Sequence, residues 1–346
     1  MPYMKRYLGR IPFVDGAIQG LPEGLPREHF YNRLLLSFQL GDQGTGNDYN
    51  QNSQRIAATR IEVEANGQLV VKSFSPYMKY CNNWEMYGST ALEVGQGVAA
   101  DETARRMDVF VEFGLNTADV TSVLPSHLLS SLQLRITWNT LANLTNAGTL
   151  VAGLIWCDVY SLELINQGQD ARAAIINKET VLQQSPSAVG FDEFDMPLGN
   201  VFRSLHIQTQ GGATASGYQN DTINTVEVVQ DGVVFHRRTD FLEFVSENEL
   251  ESSGLIDQDV AQPAGAITAM AAAASIPAGN ALIMFDYQNY NAGGSSNPVA
   301  IDRALPHLPD SSKMATWKLR VNVPSVANAV TLDLLMQELI MPKVRR

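Results

Sequence analysis

The chain has 346 residues, with 24 Lys and Arg against 36 Asp and Glu, and a net charge of −12. At 45% hydrophobic and only 17% charged residues, it is long and apolar enough for two folded domains, which excludes an intrinsically disordered protein. The negative field disfavours nucleic acid as a specific partner, and no uncharged apolar run reaches the roughly 18 residues of a membrane-spanning helix.

Residues 1–30 read as an N-terminal arm. Pro2, Pro12, Pro22 and Pro26 recur among Gly9, Gly16, Gly20 and Gly24, a spacing that predicts no long regular element. Pro12, Asp15 and Gly16 also interrupt any apolar stretch after Lys5 and Arg6, so no secretory signal is expected. From Tyr31 onward the pattern is β. Residues 33–40 alternate loosely, and over 107–113 Val109, Val111 and Phe113 share one face while Asp108 and Glu112 share the other. Leu132, Leu134 and Ile136 repeat that period. Residues 150–164 are more uniformly apolar, which predicts a central strand pair or a strand buried on both faces. The Gly-, Asn- and Ser-rich stretches at 41–52, 95–100, 211–220 and 289–297 are expected as exposed loops. The Ala-rich stretch 261–281 fits a short helix and a loop equally well.

An internal repeat organises these elements. The run Ile61-Glu62-Val63-Glu64-Ala65-Asn66-Gly67 returns as Val226-Glu227-Val228-Val229-Gln230-Asp231-Gly232, at an offset of 165. Asn-Gly and Asp-Gly between β-branched runs predict tight hairpins, because both central residues of a type I′ turn need positive φ. Next, Ser75-Pro76 opens a helix with an apolar stripe of Tyr77, Met78, Cys81 and Trp84. At the same offset Asp240, with Glu243 as its capping-box partner, opens a second helix carrying Phe241, Phe244 and Val245. Gly88 and Gly254 close the two.

Further correspondences keep the same order. Residues 109–113 match 283–287, Leu124-Pro125 matches Leu305-Pro306, Leu134-Arg135-Ile136 matches Leu319-Arg320-Val321, and Arg33 faces Arg203. The expected organisation is an arm (1–30), a first repeat (31–165), a linker (166–194), a second repeat (195–341) and a basic C-terminal tail (342–346).

Each repeat offers about eight short β segments, one helix and no βα alternation, so the expected fold is all-β. It would consist of two tandem eight-stranded antiparallel jelly-roll β-sandwiches, a double jelly roll with a short helix in each. In its duplication, segment order and length the sequence resembles the double jelly-roll major capsid proteins of icosahedral viruses, above all tailless, membrane-containing bacterial and archaeal viruses, and more distantly adenovirus hexon. The resemblance spans about residues 31–341. It implies homotrimers with pseudo-sixfold outlines, contacts with neighbouring capsomers and minor capsid or vertex proteins, and a place in the virion after assembly in the host cytoplasm.

No residue group calls for catalysis. His29, His127, His206, His236 and His307 are scattered, and only His206 and His236 fall on strands expected to be adjacent, so no metal, cofactor or enzymatic activity is expected. Gly-x-Ser-x-Gly is absent, and the Gly-rich run 41–46 opens no helix and carries no Lys. The acidic stretch 240–259, with Asp257 and Asp259, lacks an EF-hand's remaining ligands. Cys81 and Cys157, beside Tyr80 and Trp156, read as reduced, buried thiols.

Both ends are basic. Lys5, Arg6 and Arg10 in the arm, with Lys343, Arg345 and Arg346 in the tail, are the candidate interior residues, meeting anionic lipid of an internal membrane. Tyr49, Tyr218 and Tyr290 are candidate loop contacts. Two other readings are a tandem β-sandwich binding module, either a lectin or a receptor-binding spike, and a bicupin metal enzyme. Against the first, Trp84, Trp138, Trp156 and Trp317 fall in expected regular elements rather than in loops.

Overall fold

The computed structural model describes residues 3–50, 53–87, 93–94, 102–114, 122–165, 175–186, 189–210, 222–238, 280–285, 308–324 and 330–340. The chain divides into two compact units: residues 1–80, 90–180 and 340–346 form unit 1, and 81–89 and 181–339 form unit 2.

Unit 1 is built from β1 (Tyr3–Pro12), β2 (Ile18–Gly20), β3 (Phe30–Leu40), β4 (Ala58–Ala65), β5 (Leu69–Phe74), β6 (Arg105–Glu112), β7 (Leu132–Trp138) and β8 (Ile155–Leu164). Within it, one sheet runs β1-β8-β3-β6 and the other β2-β7-β4-β5, all antiparallel. Consecutive strands thus swap sheets, except for the β4-β5 hairpin, and the first strand pairs with the last, which is jelly-roll order. Alternation fills the space between the sheets: Leu34, Leu36, Phe38, Val109, Val111, Cys157 and Val159 from one, Ile61, Val63, Leu134 and Ile136 from the other, all buried. Phe38 and Trp138 meet across the gap, ring centroids 5.9 Å apart.

Unit 2 repeats the plan with β9 (Ile176–Gln184), β10 (Gly190–Asp195), β11 (Val201–Gln210), β12 (Thr225–Gln230), β13 (Val233–Arg238), β14 (Asn280–Met284), β15 (Trp317–Val323) and β16 (Thr331–Ile340). Its sheets run β9-β16-β11-β14 and β10-β15-β12-β13, the same order displaced by eight strands. Phe202, Leu205, Val226, Val228, Leu319, Val321 and Leu334 belong to its core, where Phe202 meets Trp317 across the sheets at 5.5 Å.

The repeated hairpins correspond in detail. Asn66 and Gly67 have φ of +56° and +69°, and Asp231 and Gly232 +49° and +81°, the positive values their Asx-Gly spelling predicts. Both hairpins carry a register shift at the same place, between Val63 and Glu64 in one and Val228 and Val229 in the other. Leu69, Val70 and Lys72 therefore correspond to Val233, Val234 and His236.

The helix expected after Ser75 spans Pro76–Tyr87, with the Met78 N–H donating to Ser75 Oγ at 3.2 Å. Tyr77, Met78 and Cys81 on its stripe are buried. The helix expected after Asp240, the Ala-rich stretch before residue 280 and the C-terminal tail lie outside the described residues.

Two expectations fail in the same way. Residues 1–30 are not an irregular arm, because β1 pairs with β8 over almost its whole length and β2 pairs with β7. Nor is 166–194 only a connection, since it contains β9 and most of β10. Gly9, Pro12 and Gly20 sit in strands because β1 and β2 are sheet edges, where a missing donor or a bulge is tolerated. Pro12 ends β1, and Gly9 follows its register shift at φ +139°. At Gly20 a Cβ would stand 2.6 Å from the Leu134 carbonyl oxygen, so only glycine lets β2 approach β7.

Candidate assembly surface

Three of the six predicted interaction residues lie on β1. Arg10 grips Asp158 of β8 with two bonds, Nε to Oδ1 at 2.9 Å and Nη2 to Oδ2 at 3.1 Å, and its guanidinium lies 4.3 Å above the Trp156 ring. Arg6 Nη1 stands 3.4 Å from Glu28 Oε2, both side chains well exposed. Lys5 is exposed, and no ion pair among the described residues includes it. Lys343, Arg345 and Arg346 lie outside the described residues.

Lys5 and Arg10 belong to the outer face of the β1-β8-β3-β6 sheet, where Trp156, Asp158 and Tyr160 alternate with buried Ile155, Cys157 and Val159, whereas Arg6, opposite buried Ser161, lies on the other side. Asp158 organises the centre of the face. Besides Arg10, it accepts from the Tyr7 hydroxyl at 3.1 Å and from Trp156 Nε1 at 2.8 Å. Partial burial pushes its carboxyl up, but the donors Arg10, Trp156 and Tyr7 outweigh that and hold it below the usual carboxylate range. On β6, Asp108 plays the same part: Arg106 binds it bidentately at 2.7 Å and Ser37 donates at 2.6 Å. Tyr3, Tyr7 and Tyr160 remain exposed, with Tyr7 and Tyr160 in ring contact at 5.1 Å. Such a face, rich in Arg and Tyr and with its acids already paired, has interface composition.

Unit 1 also holds a buried ionic cluster that the sequence did not disclose. Lys72 of β5, Lys79 of the helix and Glu179 of β9 have no exposed side-chain surface. Glu179 takes Lys72 Nζ at 2.9 Å and Lys79 Nζ at 2.7 Å, and Lys79 also reaches Glu112 of β6 at 3.0 Å. The rings of Phe113 and Phe74 lie under Lys72 and Lys79 at 5.5 and 5.8 Å. Burial drives the Lys72 ammonium down to about 8 against the attraction of Glu179. Burial acts to raise Glu179, yet the two lysines hold it down at about 2. Four charges from four segments distant in sequence leave no spacing signature.

Other predicted positions settle differently. Tyr49 is not a surface contact: it is fully buried, donating to the Gly41 carbonyl at 2.8 Å and accepting from Gln43 Nε2 at 2.6 Å. His206 and His236 are not on adjacent strands. They sit in different sheets of unit 2, and buried His206 stands 3.1 Å from Asn280 Oδ1. No group of His, Cys, Asp and Glu that could hold a metal ion occurs among the described residues. Cys81 and Cys157 are buried and form no disulfide. Trp138 and Trp317 are buried core rings, while Trp156 is the half-buried partner of Arg10. Tyr218, Tyr290 and the acidic stretch 240–259 lie outside the described residues.

No protein-family model and no curated protein sequence matches this chain. Solved structures do match over its full length. The major capsid protein of Sulfolobus turreted icosahedral virus shares 10% identity with it at a TM-score of 0.69, over 99% of this chain and 98% of the other. The major capsid protein P2 of bacteriophage PM2 gives 9% identity and a TM-score of 0.61, over 99% of each chain. A PBCV-1 virus capsid structure gives 11% and 0.57, over 98% and 94%. The fold of this chain is the double jelly roll that these capsid proteins have.

Proposed function

We propose that this chain is the major capsid protein of an icosahedral virus, a structural subunit rather than an enzyme, located in the virion shell. One observation carries this reading: the same eight-strand order is written twice in one chain, and the likeness to capsid proteins extends end to end. A tandem binding module or a bicupin enzyme would share the duplication, so the end-to-end likeness to capsid proteins is what favours this reading. On the outer face of unit 1 the acids Asp158 and Asp108 are already paired with Arg10 and Arg106.

Assembly follows from the duplication. Three copies present six similar modules, so a trimer has a pseudo-sixfold outline and packs like a hexagonal tile against its neighbours and against minor or vertex proteins. Lys5 and the C-terminal Lys343, Arg345 and Arg346 supply the charge that meets anionic lipid beneath the shell. Each contributes about 1 kcal/mol near such a surface, while Arg6 and Arg10 contribute less because Glu28 and Asp158 already hold them.

Sedimentation and electron microscopy of the purified chain test the reading, with threefold particles of hexagonal outline as the expected result. A chain that stays monomeric at every accessible concentration overturns it. Flotation with phosphatidylglycerol vesicles tests the lipid contact: changing Lys5, Lys343, Arg345 and Arg346 to Ala reduces binding, and unchanged binding removes that part of the proposal.

A further inference from the structure

Unit 1 is electrically uneven along its strands. Most of its cations hold a carboxylate, as Arg55 holds Glu93, Arg60 Glu62 and Arg106 Asp108. Lys5, Arg27 and Arg33 are in no ion pair among the described residues, and all three lie toward one end. The register fixes that end. Tyr3, Leu164, Phe30 and Pro125 stand opposite one another in its last row, and Lys5, Leu162 and Arg33 in the next row of the same face. Arg27 lies in the segment that leads into β3. Of the exposed acids described there, Glu23 and Glu28, the second is held by Arg6, so positive charge is in excess. Past Pro12, Leu40 and Trp138, at the opposite end, it is Asp15, Asp42, Asp48 and Glu102 that are in no ion pair among the described residues.

The cationic end also presents Leu128, 65% exposed, more than any other described leucine. It closes the short 3-10 turn Ser126–Leu128, directly after Leu124–Pro125, which pairs with Tyr31 and Phe30. Its neighbours are anchored. Ser126 is buried and its hydroxyl donates to the His29 carbonyl, while the His127 ring meets the Phe30 ring edge-on at 4.7 Å. Arg27 Nη1 donates to the next two carbonyls, Leu129 at 2.6 Å and Ser130 at 2.7 Å. The Ser130 N–H donates to Asn66 Oδ1 at 2.7 Å, which ties the turn to the hairpin carrying half-exposed Leu69. The fold therefore holds Leu128 out, and the guanidinium that braces its turn is one of the three cations without a carboxylate.

We propose that this end of unit 1 docks on an anionic lipid bilayer, with Leu128 entering the acyl boundary and Arg27, Lys5 and Arg33 meeting the headgroup phosphates. This rests on the lipid contact proposed above and names the surface that makes it. A protruding leucine rimmed by cations suits an interface that is apolar beneath and negative above. Nucleic acid offers the same phosphates but nothing for Leu128 to enter. The opposite end also exposes apolar side chains, Val14 at 41% and Val151 at 52%, but its acids repel a negative surface.

An environment-sensitive fluorophore on Leu128→Cys reads the contact in the full chain, whose native cysteines are buried. Its emission should shift to the blue with vesicles containing phosphatidylglycerol, and stay unchanged with pure phosphatidylcholine vesicles or inorganic phosphate. The same label on Val151→Cys should not respond. In flotation, Leu128→Ser should weaken binding about tenfold and Arg27→Gln about fivefold, the loss of one buried leucine and of one headgroup contact. Unchanged thermal unfolding of both variants shows that the fold survives. A response at Val151 and none at Leu128 overturns the proposal, because the other end then meets the membrane. A native chain that floats while the Leu128 label stays silent and Leu128→Ser binds undiminished overturns this surface and leaves the lipid contact standing. A native chain that does not float defeats both, and the capsid reading is then judged by its threefold particles alone. Duplex DNA binding that Arg27→Gln weakens and Leu128→Ser does not, in a chain that ignores vesicles, makes nucleic acid the partner and overturns the proposal.

Discussion

Glu179 is the residue on which the most charge depends. It accepts from Lys79 and forms an ion pair with Lys72, so its removal leaves both ammonium groups without their shared counter-ion in an apolar setting. Breaking a buried pair from one side costs about 3–5 kcal/mol, although a fully apolar replacement of such a cluster is often neutral. Glu179→Gln should therefore lose stability of that order in urea unfolding. The pH dependence has a definite sign. A carboxyl at about 2 in the fold and 4.5 when unfolded contributes stability above pH 4.5, and loses it as the pH falls toward 2. The gap between the native chain and Glu179→Gln should close across that window in acid melts. Lys72 acts oppositely to a surface lysine. With its value about 8 in the fold against 10.5 unfolded, its charge is a cost at neutral pH, relieved as the pH rises between those values.

At the scale of elements, the sequence shows the strands that alternate and hides those that do not. Strands such as β6, β7 and β15 announce themselves because one face is continuously apolar, as in Leu132, Leu134 and Ile136 or Leu319, Val321 and Val323. The first two strands of each unit stay hidden for local reasons. β1 carries exposed tyrosines on one side and Arg6 on the other. In β9 the buried positions are Asn177 and Glu179, polar residues whose burial depends on partners elsewhere in the chain. β2 has only three residues, one of them glycine. Because the chain is duplicated, the same blindness occurs twice. Glycine makes β2 testable: Gly20→Ala drives a methyl into the Leu134 carbonyl and should cost about 1–3 kcal/mol in thermal unfolding. Gly153→Ala, with no atom within 4 Å of its added Cβ and no positive φ, serves as the comparison and should cost less. The assembly face was only partly legible. Arg10 could be singled out as basic, but its pairing with Asp158, 148 residues away, required the fold.

For the whole molecule, charge and symmetry act against each other. In the proposed shell every copy brings −12 to a particle in which copies lie side by side, so repulsion opposes association at low salt. A contact made of backbone hydrogen bonds and apolar side chains gains from screening. Association should therefore tighten several-fold between about 20 and 300 mM NaCl in sedimentation equilibrium, with a Debye length that shrinks from over 20 Å to under 6 Å. Weakening over that range would mean that opposite charges, not apolar packing, hold the copies together.

The two thiols bear on what happens after such a shell leaves the cell that made it. Cys81 and Cys157 are sealed within their units, and burial pushes the Cys157 thiol well above its ordinary value. Neither presents a thiolate to oxygen or to a neighbouring copy. In the proposed capsid, buried free thiols would leave the particle without a covalent bond to form or lose on passing from a reducing interior to an oxidising exterior. Its durability outside is set by packing alone, and one engineered surface cysteine per copy would be a unique chemical handle.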